Sequence, residues 1–150
     1  VGSSVGRSRA AMLGSHHPDD QIRVIDEALS FARASPEHVG FVESNGLSTR
    51  NGDLFEYDAL SRIYGKNETP VLCGTHTPLY GHTLHSSGIL SVVKTLLVLE
   101  HGIMPRNVLN YEFDRGDCPP SNLLFKPISN KIDRTKLGCV HSYAFGGTIG

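Results

Sequence analysis

Apolar side chains recur along this chain at helical spacing in some stretches and in short continuous runs in others, and the alternation predicts its elements. Between 18 and 34, Ile22, Ile25, Leu29 and Ala32 share one helical face. Asp19 and Asp20 precede them in a first turn, where the helix dipole favours negative charge. A β-rich run at 39–44 (VGFVES) must end at Asn45-Gly46, a turn signal. Asp53 and Glu56 resemble a capping box opening a short helix through Ala59, Leu60 and Ile63, with Gly65 as its C′ residue. PVLCGT at 70–75 reads as a second strand. From 83 to 101 apolar residues occupy nearly every face, and Gly102 and Pro105 stop the run, so a buried helix is expected. LLF at 123–125 and GCVHSYAF at 138–145 add two strand-like runs, and the small, Gly-rich residues 1–7 suit a strand or a buried turn. The order β-α-β-α-β-α-β-β predicts a mixed sheet covered by helices.

Composition narrows the class. With 150 residues and 39% apolar content the chain suits a single core, hence one domain spanning 1–150. Fourteen basic and fifteen acidic residues are scattered, which argues against nucleic acid as a partner. The apolar stretch at 89–99 is broken by Ser91, Lys94 and Thr95 and is too short to cross a bilayer, so no membrane is expected. No basic-then-apolar start precedes a small-residue cleavage site, so a secretory leader is not expected. Cys73, Cys118 and Cys139 are odd in number and lack C-x-x-C spacing, which suits reduced thiols in a cytoplasmic protein.

Three Gly-containing segments fall where the alternation needs loops at strand ends. The first places Glu43, Gly46, Thr49, Gly52, Asp53, Glu56, Ala59 and Leu60; the second Gly74, Gly81, His82, Thr83 and Gly88; the last Ser142, Phe145, Gly146, Gly147 and Thr148. Leu99, Gly102 and Pro105 mark the helix exit between them. Together these positions resemble the C-terminal half of the β-ketoacyl synthases of polyketide and fatty-acid synthesis, in the thiolase superfamily. That family reads V-E-x-H-G-T-G-T-x-x-G-D-P-x-E, then G-S-V-K-S-N-I-G-H-T-E, a long helix, and S-F-G-F-G-G-T-N. The resemblance implies the second half of a thiolase-like α/β/α sandwich, a mixed sheet with a buried central helix.

It also implies a chemistry, the decarboxylative Claisen condensation. A cysteine thiolate holds the acyl chain while two histidines donate hydrogen bonds to the malonyl thioester carbonyl. The second histidine corresponds to His82; the first corresponds to Asn45, whose amide can donate a hydrogen bond but cannot exchange a proton near neutral pH. The family lysine and glutamate around the second histidine become Thr77 and Leu84. Losing one member of such a pair would strand a buried charge at about 3–5 kcal/mol, and losing both avoids that. By resemblance Thr49, Thr77, Phe145, Gly146 and Gly147 contact substrate, with Phe145 as an aromatic gate; as a plain phenylalanine it would fill a close-packed turn.

The family nucleophile lies in an N-terminal half that does not precede these motifs here, and none of the three cysteines replaces it by motif. No bound cofactor is implied; substrates arrive on the phosphopantetheine of an acyl carrier protein. The expected partner is an N-terminal ketosynthase half or a complete ketosynthase, in a homo- or heterodimer. That partner would cover a helix face which an isolated half exposes.

Two other chemistries are weaker. Cys73, His76, His82 and His85 imitate a metal-ligand spacing, but they run from strand through Pro78 and Gly81 into a helix instead of pairing on turns. FGGT at 145–148 lacks the third glycine and the lysine of phosphate loops. Three functions remain open at this point. The first is a degenerate, non-elongating or chain-length-factor-like ketosynthase segment. The second is an active condensing enzyme once a partner supplies the cysteine, and the third is a structural docking module.

Overall fold

The computed structural model describes residues 1–9, 16–108, 121–126 and 128–150. In chain order they form β1 (Gly6–Arg7), α1 (Pro18–Phe31), β2 (Val39–Glu43), α2 (Arg50–Tyr64), β3 (Val71–Gly74), α3 (Thr77–Tyr80), α4 (Ser87–His101), β4 (Ile103–Met104), β5 (Leu123–Leu124), β6 (Asn130–Lys131), β7 (Leu137–Val140), β8 (Tyr143–Ala144) and β9 (Thr148–Ile149).

The main sheet runs β5-β3-β2-β7 with every pairing parallel. Parallel strands need crossovers, and burial on both faces explains why VGFVE and VLCG are nearly continuously apolar. On one face Ile25 and Leu29 of α1 and Tyr57, Leu60 and Tyr64 of α2 pack on Val39, Val42, Val71 and Cys73. On the other, Phe41 packs with Val98 of α4 and Met104. The β2–β7 register shifts between Val39 and Phe41, so Val39 and Val42 share a face despite their odd separation. Antiparallel pairs flank this sheet: β1-β9-β8 ties the first described strand to the last, and β4 pairs with β6. The α/β class and the mixed strand directions expected from sequence are both present.

The helix anticipated at 83–101 begins later. Leu84–Ser86 form a 3-10 turn in which Leu84 has φ 49, and α4 starts at Ser87. Its sheet-facing residues are the small Ser87, Ser91 and Thr95 with Val98, while Ile89, Val92, Val93, Leu96 and Leu97 are exposed. Gly138 of β7 lets α4 approach, since a Cβ there would stand 3.0 Å from Thr95 Cγ2. Among the described residues the helix is thus covered on its sheet side only. Among the described residues no helix is long and apolar enough to cross a membrane.

Three cap assignments also differ. α1 ends at Phe31, short of 34. Thr49, not Asp53, caps α2, its hydroxyl accepting from the Gly52 N–H. Glu56 turns away from that cap to other donors, and Gly65 closes α2 with φ −67, without the left-handed turn of a C′ glycine.

Candidate active site

Ligand sites in parallel α/β sheets gather beyond the carboxyl ends of the strands, and here the ends of β2, β3 and β7 bring the motif residues together. Chain reversal after β2 is fixed by Glu56, a buried carboxylate reaching back from α2. Its oxygens accept from the Asn45 N–H at 2.7 Å and the Gly46 N–H at 3.0 Å. Burial pushes its pKa up to about 7 despite those donors.

Gly46 has φ 56, and an added Cβ would meet Thr75 Oγ1 at 2.4 Å. Gly46→Ala is therefore expected to destabilise by about 1–2 kcal/mol from the left-handed backbone alone, with displacement of Thr75 in addition. Urea unfolding measures this, and an unchanged midpoint would show that the loop relaxes freely.

Asn45 is 1% exposed. Its Oδ1 accepts from the Tyr143 N–H at 3.3 Å, which assigns the amide orientation, and its Nδ2 is buried with no hydrogen-bond partner among the described residues. Thr77 opens α3, and its hydroxyl donates to the Asn45 carbonyl at 3.4 Å, tying the first two motifs together.

His82 follows α3 and is half-buried. The Leu84 N–H donates to its Nδ1 at 3.3 Å, leaving Nε2 as the protonated nitrogen of a neutral ring, buried and without a partner among the described residues. Burial lowers its pKa.

His82 and Phe145 line one cavity of about 330 Å³, together with His16, Leu47, Leu84 and Tyr143. Phe145 is 56% exposed, which suits a rim residue and not the filler of a close-packed turn. Gly146 and Gly147, with φ 89 and 94, make the tight turn from β8 to β9 beside it. Thr49 is exposed at the α2 cap and does not line this cavity. Asn45 reaches the cavity wall only through Tyr143.

An ion pair lies beneath the site. Glu43, at the end of β2, is fully buried, and Lys94 Nζ extends from α4 to within 2.7 Å of its Oε2. His76 Nδ1 lies 3.6 Å from Oε1, and its ring is also held near Ser87 and Ser91 of α4. Burial, then Lys94 and His82, lower the His76 pKa, so the imidazole is the neutral member and Lys94 carries the compensating charge. Losing the lysine at 77 and the glutamate at 84 therefore does not leave the region without a buried ion pair.

Burial raises the thiol pKa of both Cys73 and Cys139, which keeps them protonated and unreactive. Cys118 lies outside the described residues. Among the described residues no group of three His, Cys, Asp or Glu side chains is placed to hold a metal ion.

Sequence reasoning missed His16, Lys94 and Tyr143. His16 stands outside the segments matched on motif, Tyr143 lies within the last of them but was not singled out, and Lys94 reads there only as a break in an apolar run.

The family profile described as "Beta-ketoacyl synthase, C-terminal domain" matches residues 1–112. The chain belongs to this family. A mycocerosic acid synthase-like polyketide synthase of Mycolicibacterium smegmatis is 34% identical over 148 residues, taking in 93% of the chain and 7% of that protein. The 6-methylsalicylic acid synthase of Aspergillus niger is 30% identical over 141 residues, with 86% of the chain and 8% of the relative covered. An oxazolomycin ketosynthase domain of Streptomyces albus superposes with a TM-score of 0.88 at 27% identity, over 99% of the chain and 41% of its own. The ketosynthase from module 6 of the Bacillus subtilis bacillaene synthase matches in fold, with TM-score 0.86 at 21% identity over 99% of the chain and 28% of its own. This ketosynthase C-terminal domain thus spans 7% and 8% of the length of these two curated synthases.

Proposed function

We propose that this ketosynthase C-terminal domain forms one wall of an acyl-thioester site in polyketide or fatty-acid biosynthesis and serves a non-elongating or chain-length-factor-like role. Substrates are acyl or malonyl thioesters presented on the phosphopantetheine of an acyl carrier protein. His82 supplies a hydrogen-bond donor toward the thioester carbonyl, and Phe145 with the Gly146-Gly147 turn forms the rim. Thr77 and Thr49 act indirectly, by holding the loops that carry Asn45.

The observation that carries this reading is His82, which lines the cavity with Phe145 and whose Nε2 has no hydrogen-bond partner among the described residues, as is also true of Asn45 Nδ2 behind Tyr143. Both can stabilise negative charge on an oxygen, but the second cannot take up or release a proton as imidazole does. The exposed apolar face of α4 fits a cover by an N-terminal ketosynthase half that also brings the cysteine, within a homo- or heterodimer.

Asn45 Nδ2 also favours a second reading, an active condensing enzyme in which asparagine and histidine bind the carbonyl jointly. Pairing the chain with an N-terminal half, and assaying acyl loading apart from malonyl decarboxylation, separates the possibilities. Loading without decarboxylation is the expected result. Both activities would favour the condensing enzyme, and neither would favour a docking module. His82→Ala is expected to lower whichever thioester activity is found by about 10²–10³-fold, the usual effect of removing one oxyanion donor; unchanged activity would remove His82 from the site.

A further inference from the structure

The cavity wall is apolar where solvent reaches it. Leu84 and Phe145 both line it and are 54% and 56% exposed, and Leu47 and Ala144 add further hydrocarbon. Leu84 has φ 49, a left-handed conformation that a residue with a Cβ keeps only when its surroundings hold it there. Its N–H, donated to His82 Nδ1 at 3.3 Å, is one such hold. The turn thus accepts backbone strain and sets a leucine at the cavity.

Among the described residues that line the cavity, none is Lys, Arg, Asp or Glu, and the basic side chains are the imidazoles of His16, His82 and His85. Burial lowers the pKa of His16 and of His82, which keeps both rings neutral at pH 7. Lys94 does not line the cavity and is committed to Glu43 at 2.7 Å. A carboxylate entering here gives up water and meets no fixed counter-charge, which is costly. Each methylene buried on the same wall instead gains about fourfold in affinity. With about 330 Å³ the cavity is at the small end of the range for ligand pockets, so a short acyl group suits it.

We propose that this cavity selects short alkanoyl thioesters over carboxyacyl thioesters of the malonyl kind, with Leu84 as the residue that sets the selection. This rests on the acyl-thioester reading above and adds the acyl class. Such a wall holds an acyl chain and turns away the carboxylated unit that decarboxylation would consume. Loading without decarboxylation then has a cause at the level of binding. No bond is made or broken in this selection; it is recognition only.

The test uses the full chain at pH 8, above the ordinary titration range of imidazole, with pantetheine thioesters of butyrate, of malonate and of the methyl half-ester of malonate. Butyryl and malonyl groups are close in size, and the half-ester keeps the malonyl oxygens without the charge. Butyryl is expected to bind at least about tenfold more tightly than malonyl, with the half-ester within about fourfold of butyryl. Leu84→Lys supplies a cation at an exposed position and should strengthen malonyl binding about threefold, the usual reach of a solvent-exposed ion pair. Leu84→Gln should weaken butyryl binding and give malonyl no such gain. The comparison of the three probes on the unmodified chain needs no variant, so it stands even if a substitution disturbs the turn. Equal affinity for butyryl and malonyl would overturn the selection and leave the acyl-thioester reading standing. A half-ester as weak as malonyl would overturn the exclusion of charge. Malonyl binding that is unchanged in Leu84→Lys, or that rises equally in Leu84→Gln, would overturn the role of Leu84. Failure of all three probes to bind would overturn the acyl-thioester reading itself, and this proposal with it.

Discussion

Replacing Lys94 by methionine is expected to destabilise the chain by about 3–5 kcal/mol at pH 8, the usual consequence of removing one partner from a buried ion pair. The methionine keeps most of the hydrophobic stem along α4 but leaves the Glu43 carboxylate, which is fully buried, without its cation. Burial already raises the Glu43 pKa against the influence of Lys94. Without the lysine the carboxyl escapes by taking up a proton. The loss should therefore shrink as the pH falls, because protonation replaces an uncompensated charge by a neutral acid. Adding Glu43→Gln to Lys94→Met should recover most of the stability, since neither charge then remains. Urea unfolding of the two single variants and the double variant at pH 5 and pH 8 completes the cycle. A single-variant loss that is small and independent of pH would show that the pair is solvated and contributes little.

Two buried groups near the Tyr143 hydroxyl should set opposite slopes in the pH dependence of stability. Glu56 titrates at about 7 in the fold, above the ordinary carboxylate value. The folded state thus holds its proton more tightly than the unfolded chain. That contribution is intact below about pH 4.3 and declines as pH rises to about 7, by about 3 kcal/mol in all. His141 behaves in the reverse sense, because burial lowers it to about 4. Its neutral form is the one the fold accepts, so stability is lost as pH falls from about 6.5 toward 4, by a similar amount. Between these limits the two slopes oppose each other, and their combined contribution is nearly flat. Subtracting the wild-type stability curve from those of the variants exposes each slope. Glu56→Gln should gain relative stability as the pH rises, and His141→Gln should gain it as the pH falls. Glutamine accepts at one oxygen where Glu56 serves two backbone N–H groups, so Glu56→Gln also carries a constant loss at every pH. Difference curves that run flat from pH 4 to 8 would show that neither group is dehydrated in the fold.

The parallel strands β2 and β3 were legible because burial on both faces leaves a short, nearly continuous apolar run with no competing reading. α1 was legible because only one of its faces is buried. α4 was legible as a helix but not in its orientation. Apolar residues on nearly every side do not reveal which face meets the sheet, and the buried stripe turned out to be Ser87, Ser91 and Thr95. Those small side chains permit close approach to β7, while the larger ones face outward. The cap of α2 was misread because an acidic pair three residues apart looks alike whether it closes a helix or reaches back to a preceding loop, as Glu56 does.

In the site, His82 and Phe145, which line the cavity, were legible from motif spacing. His16 was not, because its contact with Ala144 spans 128 residues and leaves no local trace. Lys94 was not, because one lysine on an apolar helix reads as a solvated interruption, and its partner Glu43 lies on a distant strand.

The pairing of β1 with β9 also dictates an order of assembly. Gly6 and Arg7 have no sheet partner until Thr148 and Ile149 are available, and β2 lacks one neighbour until β7 exists. During synthesis the early segment must wait for these late strands to emerge, the kind of long-range closure that slows folding. The cavity is walled by His16 from before α1 and by Tyr143 and Phe145 from beyond β7. It is therefore completed last. Fraying of β1 or of β8 and β9 would open it while β2 and β3 remained paired, so ligand binding would report on the integrity of these outer strands well before the central sheet melts.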